Sequence, residues 1–426
     1  PEFAAAVEAV ASTGGQFAPP IMGAVGFIMA EFLGVPYTKV MLAAAIPAFL
    51  YYLTLLMAVH FEARKLGLKG LSPEHIPAAG KVLRERGHLF IPLIVLLWLM
   101  FDGYTPLFAA AASIFATVGA TWLPSLIGLL RTKTARTFAF VLLLAVLGGL
   151  ALSGLLSLGA AILTALCVLA SAWCSARYRM TPRVVVQALD EGARGAVGVG
   201  AACVIIGIII GTVSLTGLGL TFGYEVLKYV GEGQLYLGGL FVMIMSTILG
   251  MGVPTTANYI IMASTCAPIL INGMGMHILA ANMFVFYFGI VADITPPVAL
   301  AAYAGAAIAK APPMKTALNA TRLAIAAFII PYIFAYNNAM IFVGDVTFLG
   351  VTSIVISATL GMASIASGFM GYLIHDLKWY SRIALIAGGL LMVIPGTVTD
   401  LAGLAILIVI LLIQRAENKK EKKAAV

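Results

Sequence analysis

Residues 250–256 read Gly-Met-Gly-Val-Pro-Thr-Thr. Gly250 and Gly252 let the chain turn tightly and let backbone carbonyls approach a ligand closely. Pro254 suits the first turn of a returning half-helix, where its missing amide costs nothing. Thr255 and Thr256 set hydroxyls at the positive end of that half-helix, which suits an anion, while carbonyls freed at the turn suit Na⁺. A second constellation, Ala-Asp-Ile-Thr-Pro-Pro at 292–297, follows the same logic. Its first proline fixes φ, removes an amide and pushes Thr295 out of the α region. The upstream helix should therefore stop near Val291 and a new one start at the prolines, capped by Thr295. Asp293 falls within the break. An acid at membrane depth is costly and usually functional. The plainer readings are a half-helix cap for Asp293 and a ligand-free turn for 250–256.

These residues need long apolar helices to hold them, and the composition supplies those helices. Of 426 residues, 62% are hydrophobic and 10% charged, with a mean hydropathy of +1.06. A soluble domain carries about 25% charged residues, so there is too little polar surface here to cover a water-soluble globule. Apolar runs near 38–61, 199–217 and 316–336 can each cross a bilayer core. Barrel strands would instead be short and alternate in polarity. The fold class read from this is an all-α integral membrane protein. A net charge of +8 does not point to nucleic acid, because the basic residues sit in short loops between apolar spans. Cys167, Cys174, Cys203 and Cys266 lie in apolar segments with no CxxC pair and read as packed small residues. His60, His75, His88, His277 and His375 are scattered, which gives neither a metal site nor an enzyme centre.

Loop charge sets the expected topology. The loop at 62–88 holds Arg64, Lys65, Lys69, Lys81, Arg84 and Arg86 and is taken as cytoplasmic. Spans then alternate through 89–103, 106–130, 138–153, 155–173 and 199–217. The short stretches 235–249 and 259–271 read as one re-entrant hairpin. Crossings at 278–309, 316–336 and 351–374 follow. A stretch at 383–413, interrupted at Pro395-Gly396, reads as a final hairpin ending in a basic cytoplasmic tail. Among the 25 basic residues, only Lys39 and Lys228 then fall outside.

An internal repeat emerges on this topology. Residues 14–36 and 291–313 align on Pro19-Pro20 and Pro296-Pro297. Both have a polar break, a Pro pair, a small-residue helix, and a further proline at Pro36 or Pro313. Ala18 stands where Thr295 stands, so the first copy lacks that cap. The topology sends the two copies through the membrane in opposite directions. Inverted repeats with interrupted helices mark secondary transporters, with the site at the repeat interface. Unwound backbone at membrane depth is tolerated only beside a cavity or ion.

MGVPTTANYIIMAS, then FVFYFGIVADITPPVALAAYAGAAIA, resembles the fused permease of tripartite ATP-independent periplasmic (TRAP) transporters, of the type that works with a TAXI-class receptor. PEFAAAVEAVASTGGQFAPPIMGAVGFIMAEFLGVPY at the start and LDEGARGAVGVGAACVIIGIIIGTVSLTGLG at 189–219 resemble the same family. The likeness covers roughly 1–105 and 182–340. It implies an elevator, in which a transport domain carries hairpins and broken helices past a scaffold. It also implies Na⁺-driven uptake of a small organic acid, a C4-dicarboxylate-like carboxylate, handed over by a periplasmic receptor. The implied place is a bacterial or archaeal cytoplasmic membrane, with membrane lipid around the chain and no cofactor beyond Na⁺ as coupling ion.

Carried over by position, the solute would meet Thr255, Thr256, Asn258, Gly14 and Gly15. Na⁺ would be held by Gly250, Gly252, Pro254, Thr256, Ala292, Asp293 and Thr295, and in the first repeat by Ser12 and Gln16. The implied organisation places the first broken helix at 1–36 and scaffold helices at 37–233, with an insertion at 132–178. The second hairpin and broken helix take 234–313, a span 314–340, and a C-terminal extension 341–426. The family's first hairpin and its N-terminal region would precede residue 1, so the chain is expected to be part of a longer polypeptide. A channel, or a receptor-independent carrier of the same inverted-repeat kind, is the alternative the residues leave open.

Overall fold

The structure, a computed structural model, describes residues 1–20, 22–68, 70, 77–129, 181–217, 221, 225, 228, 235–344, 346–394 and 396–424. The expected spans at 138–153 and 155–173, the whole insertion at 132–178, Pro395 and part of the loop at 62–88 lie outside these residues. Every named element is helical. In chain order they are α1 (Glu2–Gly14), α2 (Gly23–Leu33), α3 (Tyr37–Lys65), α4 (Ala79–Arg86), α5 (Ile91–Phe101), α6 (Pro106–Leu129) and α7 (Pro182–Thr216). There follow α8 (Leu235–Leu249), α9 (Thr255–Thr265), α10 (Ile278–Val291), α11 (Leu300–Ala309), α12 (Pro313–Leu323) and α13 (Ile325–Tyr336). The last three are α14 (Phe348–Met370), α15 (Trp379–Val393) and α16 (Thr397–Ala424). Among the described residues, four helical stretches are long and apolar enough to cross a membrane: Tyr37–Lys65, Pro313–Tyr336, Phe348–Met370 and Thr397–Glu417.

The chain divides into two compact units, 70–198 and the remainder. Within the first, α5 and α6 form a helical hairpin in which the Ser113 hydroxyl donates to the Pro92 carbonyl at 2.8 Å. The start of α7 belongs here too. It begins at Pro182, well before the apolar run expected to open at 199. The charged residues there do not break the helix, because Asp190 and Arg194 pair across one turn at 2.9 Å.

The second unit is built round α10. Every residue from Leu279 to Val291 is buried, including Phe284, Phe286, Tyr287 and Phe288. A helix that is apolar all round belongs in an interior, and α2, α8, α9 and α13 pack against it. In lipid, apolar burial gives little drive for helix association, so close packing of small residues must supply it. At the α1–α11 contact a β-carbon added to Gly305 would sit 3.1 Å from the Ala5 carbonyl, beside Ala302 and Ala306. The expected span at 316–336 is bent: α12 ends at Leu323, and α13 starts at Ile325 and contains Pro331.

The two repeat segments adopt the same succession of elements. α1 and α10 stop at Gly14 and Val291, at matching positions. Pro19-Pro20 and Pro296-Pro297 are both cis. α2 and α11 begin at Gly23 and Leu300, each three residues past its second proline. Both end on a left-handed residue, Gly34 with φ +63° and Lys310 with φ +51°. The packing is crosswise: α1 lies on α11, and α10 lies on α2.

The half-helices therefore do not start at the prolines, as expected, but after a linker that contains them. The Thr295 hydroxyl does not cap α11. It donates back to the Val291 carbonyl at 2.7 Å, satisfying one of the carbonyls freed where α10 ends. The turn into α11 is made instead by Ala299, whose φ is +39°.

The C-terminal helices form an antiparallel set. α15 and α16 are two helices separated at 394–396, with Leu377, Leu385, Leu407 and Ile410 as their core. Cations hold one end of α14. Lys65 Nζ donates to the Met370 carbonyl at 3.1 Å and Arg322 Nε to Phe369 at 2.9 Å. Arg382 Nε donates to the Gly368 carbonyl at 2.9 Å. Cationic donors complement the negative end of a helix and its unpaired carbonyls. Arg322 also pairs with Glu62 at 3.5 Å, where Glu62 is 13% exposed.

Arg322→Leu should cost about 1–3 kcal/mol, the loss of charge-assisted bonds at a part-buried site. Arg322→Lys should cost less but not nothing, because a single ammonium cannot reproduce the guanidinium fork. Melting of the purified protein in detergent checks the order wild type, Lys, Leu. Equal melting of all three would remove the clamp from the stability of the fold.

Candidate functional site

The hairpin α8–α9 turns at 250–254 and lies against the end of α10. Pro254 precedes α9 with ψ 141°, so Thr255 and Thr256 occupy its first turn, both half-buried. Neither hydroxyl has a protein partner among the described residues. Gly252 takes φ +77°, the left-handed conformation that favours glycine, and is exposed at the tip beside exposed Pro254.

Gly250 serves a different purpose. A β-carbon there would meet Asn258 Nδ2 at 2.7 Å, the Gly289 carbonyl at 2.8 Å and Ala292 Cβ at 3.0 Å. The hairpin can touch the broken helix only because this position has no side chain. Asn258, one turn into α9 and 2% exposed, makes the connection: its Nδ2 donates to the Gly289 carbonyl at 2.9 Å. A carbonyl can only accept, so the amide nitrogen must face it and Oδ1 must face away. That Oδ1 is buried with no partner.

In the break itself, Ala292 is buried, while Asp293 and Thr295 are half-buried. Asp293 pairs with no cation among the described residues. Thr321 of α12 donates to the Ile294 carbonyl at 3.2 Å, and Tyr303 donates to Pro297 at 2.8 Å. The linker is thus held by hydroxyls from its own repeat.

The first break comes to the same place, since α1 packs on the 292–294 turn and α2 packs on α9. Phe17 is fully buried, stacked on Tyr287 at 4.3 Å and edge-on to Tyr51 at 4.8 Å. Gln16 stands where Asp293 stands in the other repeat, and its Oε1 is buried without a partner. Gly14 is small for a packing reason, as an added β-carbon would strike the Tyr51 ring. Gly15 and Ser12 are exposed, and the Ser12 hydroxyl turns to Glu8 at 3.3 Å.

Three tyrosines of α3 escaped the sequence reading. Tyr51 donates to the Val10 carbonyl at 2.8 Å, Tyr52 to Ala11 at 3.0 Å and Tyr37 to Pro20 at 2.9 Å. They tie the end of α1 and its linker to the neighbouring span. The adjacent tyrosines inside an otherwise apolar run were the available signal, since a buried tyrosine usually brings its hydroxyl to a partner.

Brought together, then, are Gly250, Asn258, Ala292 and the broken end of α10, with α1 and the first break beside them. Ser12, Gly15, Gly252 and Pro254 lie at exposed positions. The unpartnered atoms are oxygens, and a buried oxygen without a donor costs free energy unless water or a cation meets it. No group of three or more His, Cys, Asp or Glu that could hold a metal occurs among the described residues.

The family described as the tripartite ATP-independent periplasmic transporter, DctM component, matches residues 1–133 and 123–347. The match covers both repeats and the hairpin and stops before α14. No curated protein and no solved structure matches the chain. The chain belongs to the DctM family, the membrane permease component of tripartite ATP-independent periplasmic transporters.

Proposed function

We propose that this permease imports a small organic acid, driven by Na⁺, with the coupling ion held between the hairpin tip and the two helix breaks. The observation that carries the reading is the pair of buried, unpartnered carboxamide oxygens, Asn258 Oδ1 and Gln16 Oε1, one on the hairpin and one in the first break. Na⁺ is a hard cation that takes oxygen ligands, and carboxamides, hydroxyls and backbone carbonyls provide them without a full charge. Asp293 supplies a negative group in the second break. The solute carboxylate would meet the positive end of α9, where Thr255 and Thr256 add hydroxyl donors. Gly14 and Gly15, at the end of α1, are the first-repeat positions proposed to meet the solute. The two repeats pass the membrane in opposite directions, and the core around α10 moves as an elevator. A periplasmic receptor of the TAXI class delivers the solute, which fits the likeness of 251–264 and 284–309 to the fused permeases.

Uptake by the full-length protein with its receptor, measured across a Na⁺ titration in proteoliposomes, tests this. Thr256→Val keeps the shape and removes one oxygen. It should need several-fold more Na⁺ for half-maximal uptake, as expected for losing one hydrogen-bonding or ligating oxygen worth about 1 kcal/mol. Thr352→Val, a half-buried position in α14 whose hydroxyl donates to the Phe348 carbonyl, should behave as wild type. Identical Na⁺ dependence in both variants would take the ion away from this hairpin. Counterflow of labelled solute separates a carrier from a channel.

A further inference from the structure

The helices beyond the family match, together with α13, enclose a second polar space. At the end of α16 opposite its basic tail lies a cavity of about 190 Å³, walled by α13, α14, α15 and the start of α16. Its polar side is built from Asn337, Ser357 and Asp400, and its apolar side includes Ile333, Ile354 and Met392. The Ser357 hydroxyl stands 2.5 Å from Asp400 Oδ1 and 3.0 Å from the Met392 carbonyl. One hydroxyl proton cannot serve both, so one of these acceptors goes without a full bond. Asp400 Oδ2 has no hydrogen-bond partner among the described residues, and no lysine or arginine is among the residues lining the space.

The surrounding dipoles do not replace the missing cation. α13 ends at Tyr336 and α15 at Val393, so two negative helix ends converge on the cavity. Against them stand the N-terminus of α16, in whose first turn Asp400 lies, and the start of α14, whose Ser353 and Ser357 line the space, so the helix ends supply no net cation. A bare inorganic ion would meet hydrocarbon on one side of this space. An ammonium on a short carbon stem would put charge against Asp400 and carbon against Ile333 and Ile354. The mouth lies by Gly396 and Thr397, both exposed at the start of an apolar helix. That is the level at which a lipid headgroup would stand.

We propose that this cavity binds an alkylammonium group, either that of a phosphatidylethanolamine headgroup or that of a free primary amine. The inference is independent of the Na⁺ reading of the hairpin. Native mass spectrometry of the full-length protein, given equal phosphatidylethanolamine and phosphatidylglycerol, reads the lipid arm. Titration with ethylammonium chloride, followed as a melting shift against matched sodium chloride, reads the free amine. Asp400→Asn should lower binding about tenfold, as expected for losing one charge-assisted hydrogen bond. Thr397→Trp should lower it by obstructing the mouth while leaving the carboxylate in place.

Retention of phosphatidylethanolamine that both variants lose assigns a lipid. An Asp400-dependent shift with ethylammonium alone assigns a free amine. Binding of neither probe, or wild-type binding by both variants, overturns the proposal and leaves Asp400 as an ordinary acid at a helix start. Should Asp400→Asn fail to fold, wild-type binding by Thr397→Trp is decisive against it.

Discussion

Asn258→Leu should lower Na⁺-coupled uptake at least about tenfold, because one substitution removes both the tie that seats the hairpin and an unpartnered buried oxygen. The side chains are close in volume, so packing is nearly conserved. The Gly289 carbonyl, which accepts from Asn258 Nδ2 at 2.9 Å, would be left buried without a donor. That costs about 1–3 kcal/mol, which is roughly five- to 150-fold in the population of the seated hairpin. Asn258→Asp separates the two roles. It loses the donor to Gly289 but keeps oxygen at the Oδ1 position and adds a charge. On the Na⁺ reading, aspartate should retain Na⁺-dependent uptake with an altered half-maximal concentration, while leucine should not. The check is uptake by both variants across a Na⁺ titration, with melting in detergent as a control for folding. Aspartate as damaged as leucine would reduce Asn258 to a structural tie, and wild-type uptake by leucine would remove it from the mechanism.

The breaks were legible because glycine and proline act locally. The hairpin turn at 250–254 and the stops at Gly14 and Val291 follow from which residues can be helical, and the sequence repeat predicts that the two segments share a plan. The exact starts of α2 and α11 were not legible. Where a half-helix resumes depends on how the linker is redirected, and a left-handed Ala299 is set by tertiary packing rather than by alanine's own preference. Thr295 shows the same limit: a threonine before a proline pair can cap forward or bond backward, and the carbonyls freed at the end of α10 decide.

Long-range partners were equally hidden. Glu62 opens a basic loop and Arg322 falls inside the expected crossing at 316–336, and only the fold sets them 3.5 Å apart. The start of α7 was not legible, because only its apolar window at 199–217 carries a membrane-span signal. Solvated charges with an i, i+4 pair extend a helix beyond its membrane part without any apolar signal.

Gly250 and Gly252 looked equivalent as letters, and the structure ranks them. Gly252→Ala puts a β-carbon into open space, with nothing within 4 Å, but asks alanine to hold φ +77°. The left-handed conformation costs an L-residue roughly 1–2 kcal/mol, so a moderate loss of uptake is expected. Gly275→Ala is its control, with φ +68°, open space around it and a place away from the tip. Gly250→Ala is the severe change. Its β-carbon would lie 2.7 Å from Asn258 Nδ2, 2.8 Å from a backbone oxygen of α10 and 3.0 Å from Ala292 Cβ. The backbone oxygen and Ala292 Cβ cannot swing aside, and Asn258 could move only by giving up its bond to Gly289, so the hairpin must lift off the break. Overpacking of this kind costs about 1–3 kcal/mol, occasionally more, and here the strain falls on the closure that, on the Na⁺ reading, seats the ion. Uptake should therefore fall in the order wild type, Gly252→Ala, Gly250→Ala, with Gly250→Ala near background at any Na⁺ concentration. Gly275→Ala should melt like Gly252→Ala yet transport like wild type. Normal transport by Gly250→Ala would mean that the hairpin need not seat against the break, and the site would have to be sought elsewhere in the permease.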